Sequence, residues 1–345
     1  MSRRRGANVT IQDVAKRAGV SISTVSRVLN NKDDVAEETF RHVQQVIDEL
    51  GYSSSLAAYS MRSRKTNMVG LIVPDMEHSF MVQTIRGVSR TVKQFGYDLI
   101  VYTSGRDHAD LSAMATWEQR QVALLNGSIA DGTIVVTPFA QSFRTTHPLV
   151  AIDPHNNAAD FPTVISTNRT GVMEAIDYLA KLGHKRIGFI GGRADLQSAG
   201  RRRQGYLDGL ARAGIEPVPH LMLDGDFTVD AGYRCARILL KLPDRPSAIM
   251  AANDDTAVGA LQAAADAGIA VPEELSIIGF DNVPEAAVAK PALTTVDQSI
   301  ELMGYTATKL LMDMLQGREI TEQLVKIPTK LVIRDSCAAV KPGTR

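Results

Sequence analysis

The sequence is poor in cysteine: Cys235 and Cys337 are the only two in 345 residues. Two thiols so far apart make neither a disulfide framework nor a metal cluster, and they fit a reducing compartment. No run of 18 apolar residues occurs, so no segment reads as a membrane-crossing helix. The arginines near the start are not followed by the apolar stretch of an export signal, which makes a cytoplasmic protein with no membrane partner the expectation. Net charge is missing too, since 38 basic residues balance 38 acidic ones. The balance is uneven along the chain, because residues 1–65 hold eleven Lys or Arg against seven Asp or Glu. A basic front with Arg3, Arg4 and Arg5 in a row points to a small module that meets a polyanion.

Catalytic signatures are also lacking. The segment "GFIGGRADLQSAG" follows an apolar run but does not have G-x-G-x-x-G spacing, and no Walker lysine motif, G-x-S-x-G elbow or H-E-x-x-H occurs. No catalytic residue, metal or cofactor is therefore expected. What the chain has is length and 44% hydrophobic residues, enough for two or three separate cores.

The first of these lies in "IQDVAKRAGVSISTVSRVLN". Thr10 and Asp13 approximate a capping box, and Ile11, Val14, Ala15 and Ala18 form one apolar stripe, so a helix is expected over 11–18 with Gly19 as its stop. Val20 packs in the turn and Ser21 caps a second helix whose buried side is Val25, Val28 and Leu29. Ile22, Ser23, Ser26 and Arg27 are left facing outward. A third helix is expected over 36–50, where Phe40, Val43, Val46, Ile47 and Leu50 recur at helical spacing before Gly51. Helix, glycine turn and a second helix with a polar, basic face match a helix-turn-helix that reads base edges in the major groove.

From Met68 onward the pattern changes. Apolar runs such as "MVGLIVP", "YDLIVYT", "GTIVVT", "PLVAID", "RIGFIGG", "SAIMAA" and "LSIIGF" alternate with helical segments. Continuous apolar strands imply parallel sheets covered on both faces. One such helix is expected over 80–95, with Val82, Ile85, Val88, Val92 and Phe95 on its buried side. About 270 residues of this pattern exceed one ordinary open sheet, so two α/β subdomains are expected.

"VTIQDVAKRAGVSISTVSRVLNN" followed by "ELGY" resembles the start of the lactose/galactose repressor (LacI/GalR) family of bacterial transcription regulators. The likeness continues through "VGLIVPD", "LGHKRIGFIGG", "RRRQGY", "AANDDTAVG", "IIGFDN", "PALTTVDQ" and "LVIRDS". It implies an all-α helix-turn-helix DNA-binding domain at 8–52, a hinge at 53–66, and a two-subdomain α/β periplasmic-binding-protein-like effector domain at 67–337. The chain is expected to cross between subdomains near 163–168, 281–296 and 323–329, with the ligand in the cleft between them.

The expected DNA-contacting set is Thr10, Ser21, Ile22, Ser23, Thr24, Ser26, Arg27 and Asn30 in the head, with Met61 from the hinge. Aligning Tyr52 with the family places Met61 where a leucine usually wedges into the minor groove. Ser54 stands where proline is usual, and Tyr59 where a polar or basic residue is common. The expected effector set matches the family's motifs at strand ends. Arg202 is a planar fork for two vicinal hydroxyls or a carboxylate. Asp281 accepts from hydroxyls opposite it or caps the following turn. Asn253 either meets the ligand or caps the helix that starts near Asp254. Phe227 offers an aromatic face to a ring. Asp153 and Ser198 are further strand-end candidates, and "PDMEHSFM" contributes Asp75, Ser79 and Phe80. His78 and His184 read as loop and pre-strand residues.

Several acceptors, a forked donor and an aromatic face suit a sugar or sugar derivative. A purine is the alternative, although it calls for more aromatic stacking than a 5% aromatic content advertises. One helix-turn-helix reads a short half-site, so operator DNA implies a homodimer. The tail "CAAVKPGTR" has no heptads, which favours a dimer over a tetramer. The reading is a ligand-controlled repressor, cytoplasmic and nucleoid-associated. Its rival is a sugar-binding protein without DNA function, which would carry a signal peptide and no helix-turn-helix.

Overall fold

The computed structural model describes residues 9–29, 32, 34–52, 65–104, 111–126, 129–155 and 160–340. Arg3, Arg4, Arg5, Asn30, Ser54, Tyr59 and Met61 lie outside these residues. The chain divides into two compact units, Met1–Thr66 and Asn67–Arg345.

The first unit holds α1 (Ile11–Ala18), α2 (Ile22–Leu29) and α3 (Glu37–Leu50). Thr10 and Asp13 close a reciprocal capping box, the Asp13 carboxylate taking the Thr10 amide at 2.8 Å. The Thr10 hydroxyl, bonded to that carboxylate, and the Thr10 amide hold the Asp13 carboxyl below its ordinary range. Gly19 adopts φ 67° at the end of α1, a left-handed turn that a Cβ would strain. Val14, Ala15, Val25, Val28, Val43 and Ile47 meet in one core, with Phe40, Leu50 and Tyr52 along its edge. The third helix starts one residue later than expected.

The second unit is built on two six-stranded sheets. The first contains β1 (Met68–Val73), β2 (Asp98–Thr103), β3 (Gly132–Val136), β4 (Leu149–Ile152), β5 (Thr163–Ser166) and β11 (Leu324–Ile327), in the order β11-β5-β4-β3-β1-β2. The second contains β6 (Ile187–Ile190), β7 (Met222–Leu223), β8 (Ala248–Ala251), β9 (Ser276–Asp281), β10 (Thr294–Asp297) and β12 (Lys330–Val332), in the order β12-β10-β9-β8-β6-β7. Neighbouring strands run parallel, except that β12 pairs antiparallel to β10. The helices are α4 (Ser79–Gln94), α5 (Leu111–Leu125), α6 (Asn168–Lys181), α7 (Gln197–Arg212), α8 (Val229–Leu240), α9 (Asp254–Asp266), α10 (Pro284–Val288) and α11 (Ile300–Leu315). Cores around Leu71, Ile134 and Val150 in the first lobe, and around Phe189, Ile249 and Ile277 in the second, bury the sheets.

Two expectations need correction. The apolar stripe of α4 is displaced: Val88 and Val92 are buried, but Val82 and Phe95 are exposed, and Met81, Thr84 and Thr91 complete the covered face. The threonines enter the interior because their hydroxyls return to the carbonyls of Phe80 at 2.9 Å and Gly87 at 2.8 Å. Their methyls are then left to pack. On this face Gly87 lies against the Glu301 backbone and Gly304 against that of Thr84, so α4 and α11 approach more closely than side chains would allow. The crossing expected at 281–296 also lies elsewhere, because β9 and β10 are neighbours in the second sheet. The chain changes lobe after β10, at Gln298 and Ser299, and α11 then inserts Met303, Ala307 and Leu311 into the first lobe's core. The other crossings follow β5 and β11, within the expected spans. They are tied together by Thr167 and Thr329, whose hydroxyls lie 2.9 Å apart.

Candidate functional sites

In the head, α2 presents a small polar face. Ser21 accepts the Thr24 amide at 3.1 Å, and its hydroxyl bonds those of Ser23 at 2.6 Å and Thr24 at 2.9 Å. Ser21 and Thr24 thus start the helix, as Thr10 starts α1. Ile22 is 44% exposed, Ser23 and Arg27 are exposed, and Ser26 is half-buried. The Arg27 guanidinium lies 3.5 Å from the exposed Asp34 carboxylate. An open pair of this kind is worth roughly 0–1 kcal/mol and exchanges easily for another anion.

In the larger unit a cavity opens where the strands of both sheets end. Carboxyl ends of parallel strands are where open α/β sheets hold ligands, because the backbone leaves the sheet there. Asp75, Phe80, Asp153, Ser198, Arg202, Phe227, Asn253 and Asp281 all line it. Ser79 is not among the lining residues, although His78 and Phe80 are. Successive residues of a helix point about 100° apart, so three in a row cannot face one side.

The centre of the site is a buried ion pair. Arg202 and Asp281 are 4% and 6% exposed, with Arg202 Nη1 3.3 Å from Asp281 Oδ1. Arg202 is held by Nε donating to Asn168 Oδ1 at 2.7 Å and Nη1 donating to the Ala252 carbonyl at 2.6 Å. Its guanidinium lies 3.8 Å from the Phe280 ring centroid and 5.6 Å from that of Phe227. Burial pushes the Asp281 carboxyl up to about 7, against the opposing pull of Arg202. Gln298 donates to Asp281 Oδ1 and accepts from the Ser166 hydroxyl at 2.9 Å, so one amide joins the site to two chain crossings.

Around this pair the roles divide. Asn253 accepts the Thr256 amide at 3.0 Å and donates to the Phe227 carbonyl at 2.9 Å. It is the cap of α9 and a brace for Phe227, the second of its two expected readings. Phe227 sits at φ 71° with its ring against Gly192, where any Cβ would collide; this is the use of the second glycine in "GFIGG". Asp153 adopts φ 47°, and its Oδ1 is buried with no hydrogen-bond partner. Ser198 is buried in the first turn of α7. Asp75 Oδ1 accepts the amides of Glu77 and His78 and lies 3.0 Å from His78 Nδ1. Burial raises the Asp75 carboxyl, but these bonds outweigh it and bring it down to about 2, while the same contact raises His78.

Sequence reasoning missed Phe139, His155, Arg193, Asp226 and Asp255, which also line the cavity, and it read His78 as a loop residue. All but Asp255 lie in the loops after β1, β3, β4, β6 and β7, so a search of the first residues beyond every strand would have found them. Behind Phe139 stands Glu118 on α5, which accepts the amides of Phe139 at 3.1 Å and Ala140 at 2.8 Å. Burial pushes its carboxyl up to about 7. His184 is a structural residue, bonded to the Ser247 hydroxyl at 2.9 Å and the Ala338 carbonyl at 3.1 Å.

Residues 10–55 match the bacterial regulatory proteins of the lacI family, and residues 176–337 match the periplasmic binding protein-like domain. The chain is 34% identical to the HTH-type transcriptional repressor CytR of Escherichia coli (strain K12) over 337 residues, which span 96% of this chain and 97% of that one. It is 32% identical to the ribose operon repressor of Halalkalibacterium halodurans over 330 residues, 95% of this chain and 96% of that one. Among solved structures it resembles the lac repressor dimer bound to operator and the anti-inducer ONPF, with a TM-score of 0.83 and 25% identity. That likeness covers 96% of this chain and all of the other.

Proposed function

The chain belongs to the lacI family of bacterial regulatory proteins, and from that premise we propose that it is a homodimeric, ligand-controlled repressor. Its two heads grip operator DNA and its cleft binds a small polyhydroxylated effector. Within each head, Ile22, Ser23 and Arg27 read bases, while Thr10, Ser21, Thr24, Ser26 and Asn30 contact the backbone or shape the face. The segment 53–66 is the hinge, with Met61 as its minor-groove wedge. The domain limits 8–52 and 67–337 follow from the same reading. The protein works in the cytoplasm on the nucleoid and acts by binding, not by catalysis. The match of residues 10–55 to the lacI family, together with the three-helix head, weighs against a sugar receptor without DNA function.

One observation carries the effector reading. In a cleft between two lobes, a buried Arg202–Asp281 pair is held in place by protein bonds to Arg202 Nε and Nη1 and to Asp281 Oδ1. Arg202 Nη2 and Asp281 Oδ2 make no hydrogen bond among the described residues. A donor and an acceptor side by side suit a hydroxyl, which accepts and donates at once. Closure of the lobes on a ligand then changes the spacing of the dimer's heads, so that effector and operator oppose each other by one reciprocal coupling energy. The test uses DNA selected from a random pool by the purified protein and titrated with and without sugars by fluorescence anisotropy. Asp281→Asn should keep operator affinity within about threefold of the parent and lose the effector response, because a charged hydrogen bond is worth roughly 1.5–3 kcal/mol. A response that survives in Asp281→Asn overturns the assignment of the site.

A further inference from the structure

We infer that the cleft is built for a neutral nucleoside-type ligand, a flat nitrogenous ring joined to a ribose-like diol, and that it rejects the phosphorylated forms. The inference rests on the effector-site reading above and names the ligand class of that site.

The diol end is the open edge of the Arg202–Asp281 pair. Two adjacent hydroxyls can share Arg202 Nη2 and Asp281 Oδ2 while Phe227 covers the sugar from the side on which its ring stacks near the guanidinium.

The ring end lies in the first lobe. The Phe139 and His155 rings are 4.1 Å apart at 30°, the Arg193 guanidinium is 5.7 Å from the Phe139 centroid, and Phe80 lines the same cleft. Three of the nine phenylalanines in the sequence thus gather in one cavity. A low aromatic content overall therefore does not argue against a stacked ring, because stacking depends on local placement.

The unmatched polar atoms at this end are acceptors. His155 Nδ1 lies 2.9 Å from the Pro138 carbonyl, which can only accept, so this nitrogen carries the proton. Burial lowers the basicity of the ring against the opposing pull of Asp195, and the buried Nε2, 3.7 Å from Asp195 Oδ2, is left as a lone pair with no hydrogen bond. Asp153 Oδ1 is likewise buried and unmatched. Two acceptors ask for N–H groups of the kind a nucleobase carries on its edge.

Phosphate is excluded by charge. Asp75, Asp153, Asp226, Asp255 and Asp281 line the cavity, against Arg193 and Arg202. Arg193 is already paired with Asp195 at 2.7 Å, Arg202 with Asp281, and His78 with Asp75. A dianion would enter among carboxylates without a cation free to meet it among these three.

The test is calorimetric titration of the full chain with five nucleosides (adenosine, guanosine, inosine, cytidine and uridine), their 5′-monophosphates, the free bases, D-ribose, and a set of hexoses and disaccharides. At least one nucleoside should bind, its monophosphate at least tenfold and ribose at least a hundredfold more weakly. Phe139→Leu keeps the apolar volume but removes the π face, and it should weaken that nucleoside about three- to tenfold without changing the weak binding of ribose. A hexose or disaccharide that outbinds every nucleoside, a monophosphate that binds as well as its nucleoside, or a panel without any binder overturns the ligand class. The site is judged separately with Asp281→Asn. A sugar that loses affinity in this variant keeps the site and refutes the nucleoside, whereas a nucleoside that binds the variant and parent alike refutes the site.

Discussion

On the open side of α2, Ser23 and Arg27 stand in solvent while Val25 and Val28 fill the core behind them. In the cleft, Arg202 and Asp281 are themselves interior residues, packed against Phe280 and bonded into the frame. As proposed, the head separates recognition from folding, so its polar face can be altered at little cost to stability. On the proposed reading the cleft merges the two, and Arg202 and Asp281 are each both a binding group and a structural risk.

Substitution of Arg202 should give the largest separation between these regions. Arg202→Ala leaves the Asp281 carboxyl in the interior without its cation, so that it must carry an unpaired charge or take up a proton, and losing one partner of a buried pair costs about 3–5 kcal/mol. Arg27→Ala, by comparison, should change stability by less than about 0.5 kcal/mol, as exposed positions do. Urea denaturation of both variants makes the comparison, and a loss below about 1 kcal/mol for Arg202→Ala would break it.

A pH series sharpens the contrast from the interior side. Glu118 and Asp281 have folded values near 7, above their ordinary range, because burial disfavours the ion. The native state therefore keeps protons that the unfolded chain releases. Their stabilising contribution is full below about pH 4 and is lost as pH rises through 7. For Glu118 the loss is roughly 3 kcal/mol at most. Glu118→Gln should flatten the slope of unfolding free energy between pH 5 and 7, and an unchanged slope counts against the buried-acid account. Asp75 has the opposite sign: its depressed value gives stability that is present above about pH 4 and lost as pH falls towards 2.

The smallest effect belongs to the head and is a matter of discrimination. Arg27→Ala should cost about 1–3 kcal/mol on selected operator DNA and much less on random DNA, since a bidentate arginine–guanine contact carries that much preference. Anisotropy titrations on both DNAs measure the difference, and equal losses would remove Arg27 from the reading face.

The head was almost fully legible in the sequence. Its caps, glycine stop and apolar stripes are local signals, and α1 and α2 run where those signals put them. The strands were legible where they are unbroken apolar runs, even four residues long as in β4, β6 and β8, but β5, β10, β11 and β12 mix Thr, Ser, Asp or Lys with their apolar residues and β7 has only two residues. The crossing at 281–296 is what the family resemblance implies, and the polar letters of β10 give no local signal that the sheet continues to Asp297. Thr84 and Thr91 were hidden for another reason. Their letters are polar, and only the helical backbone supplies the carbonyls that let them enter the core. In the cleft, strand-end residues inside recognisable motifs were found. Phe139 and His155 lie outside such motifs and become neighbours only when β3 and β4 pair.

The three crossings after β5, β10 and β11 have a mechanical meaning. Short spans set side by side and cross-linked by Thr167, Thr329 and the Ser166–Gln298 bond cannot slide past one another without breaking these bonds. Because Gln298 also holds Asp281 Oδ1, whatever moves that carboxyl pulls on two of the three spans at once.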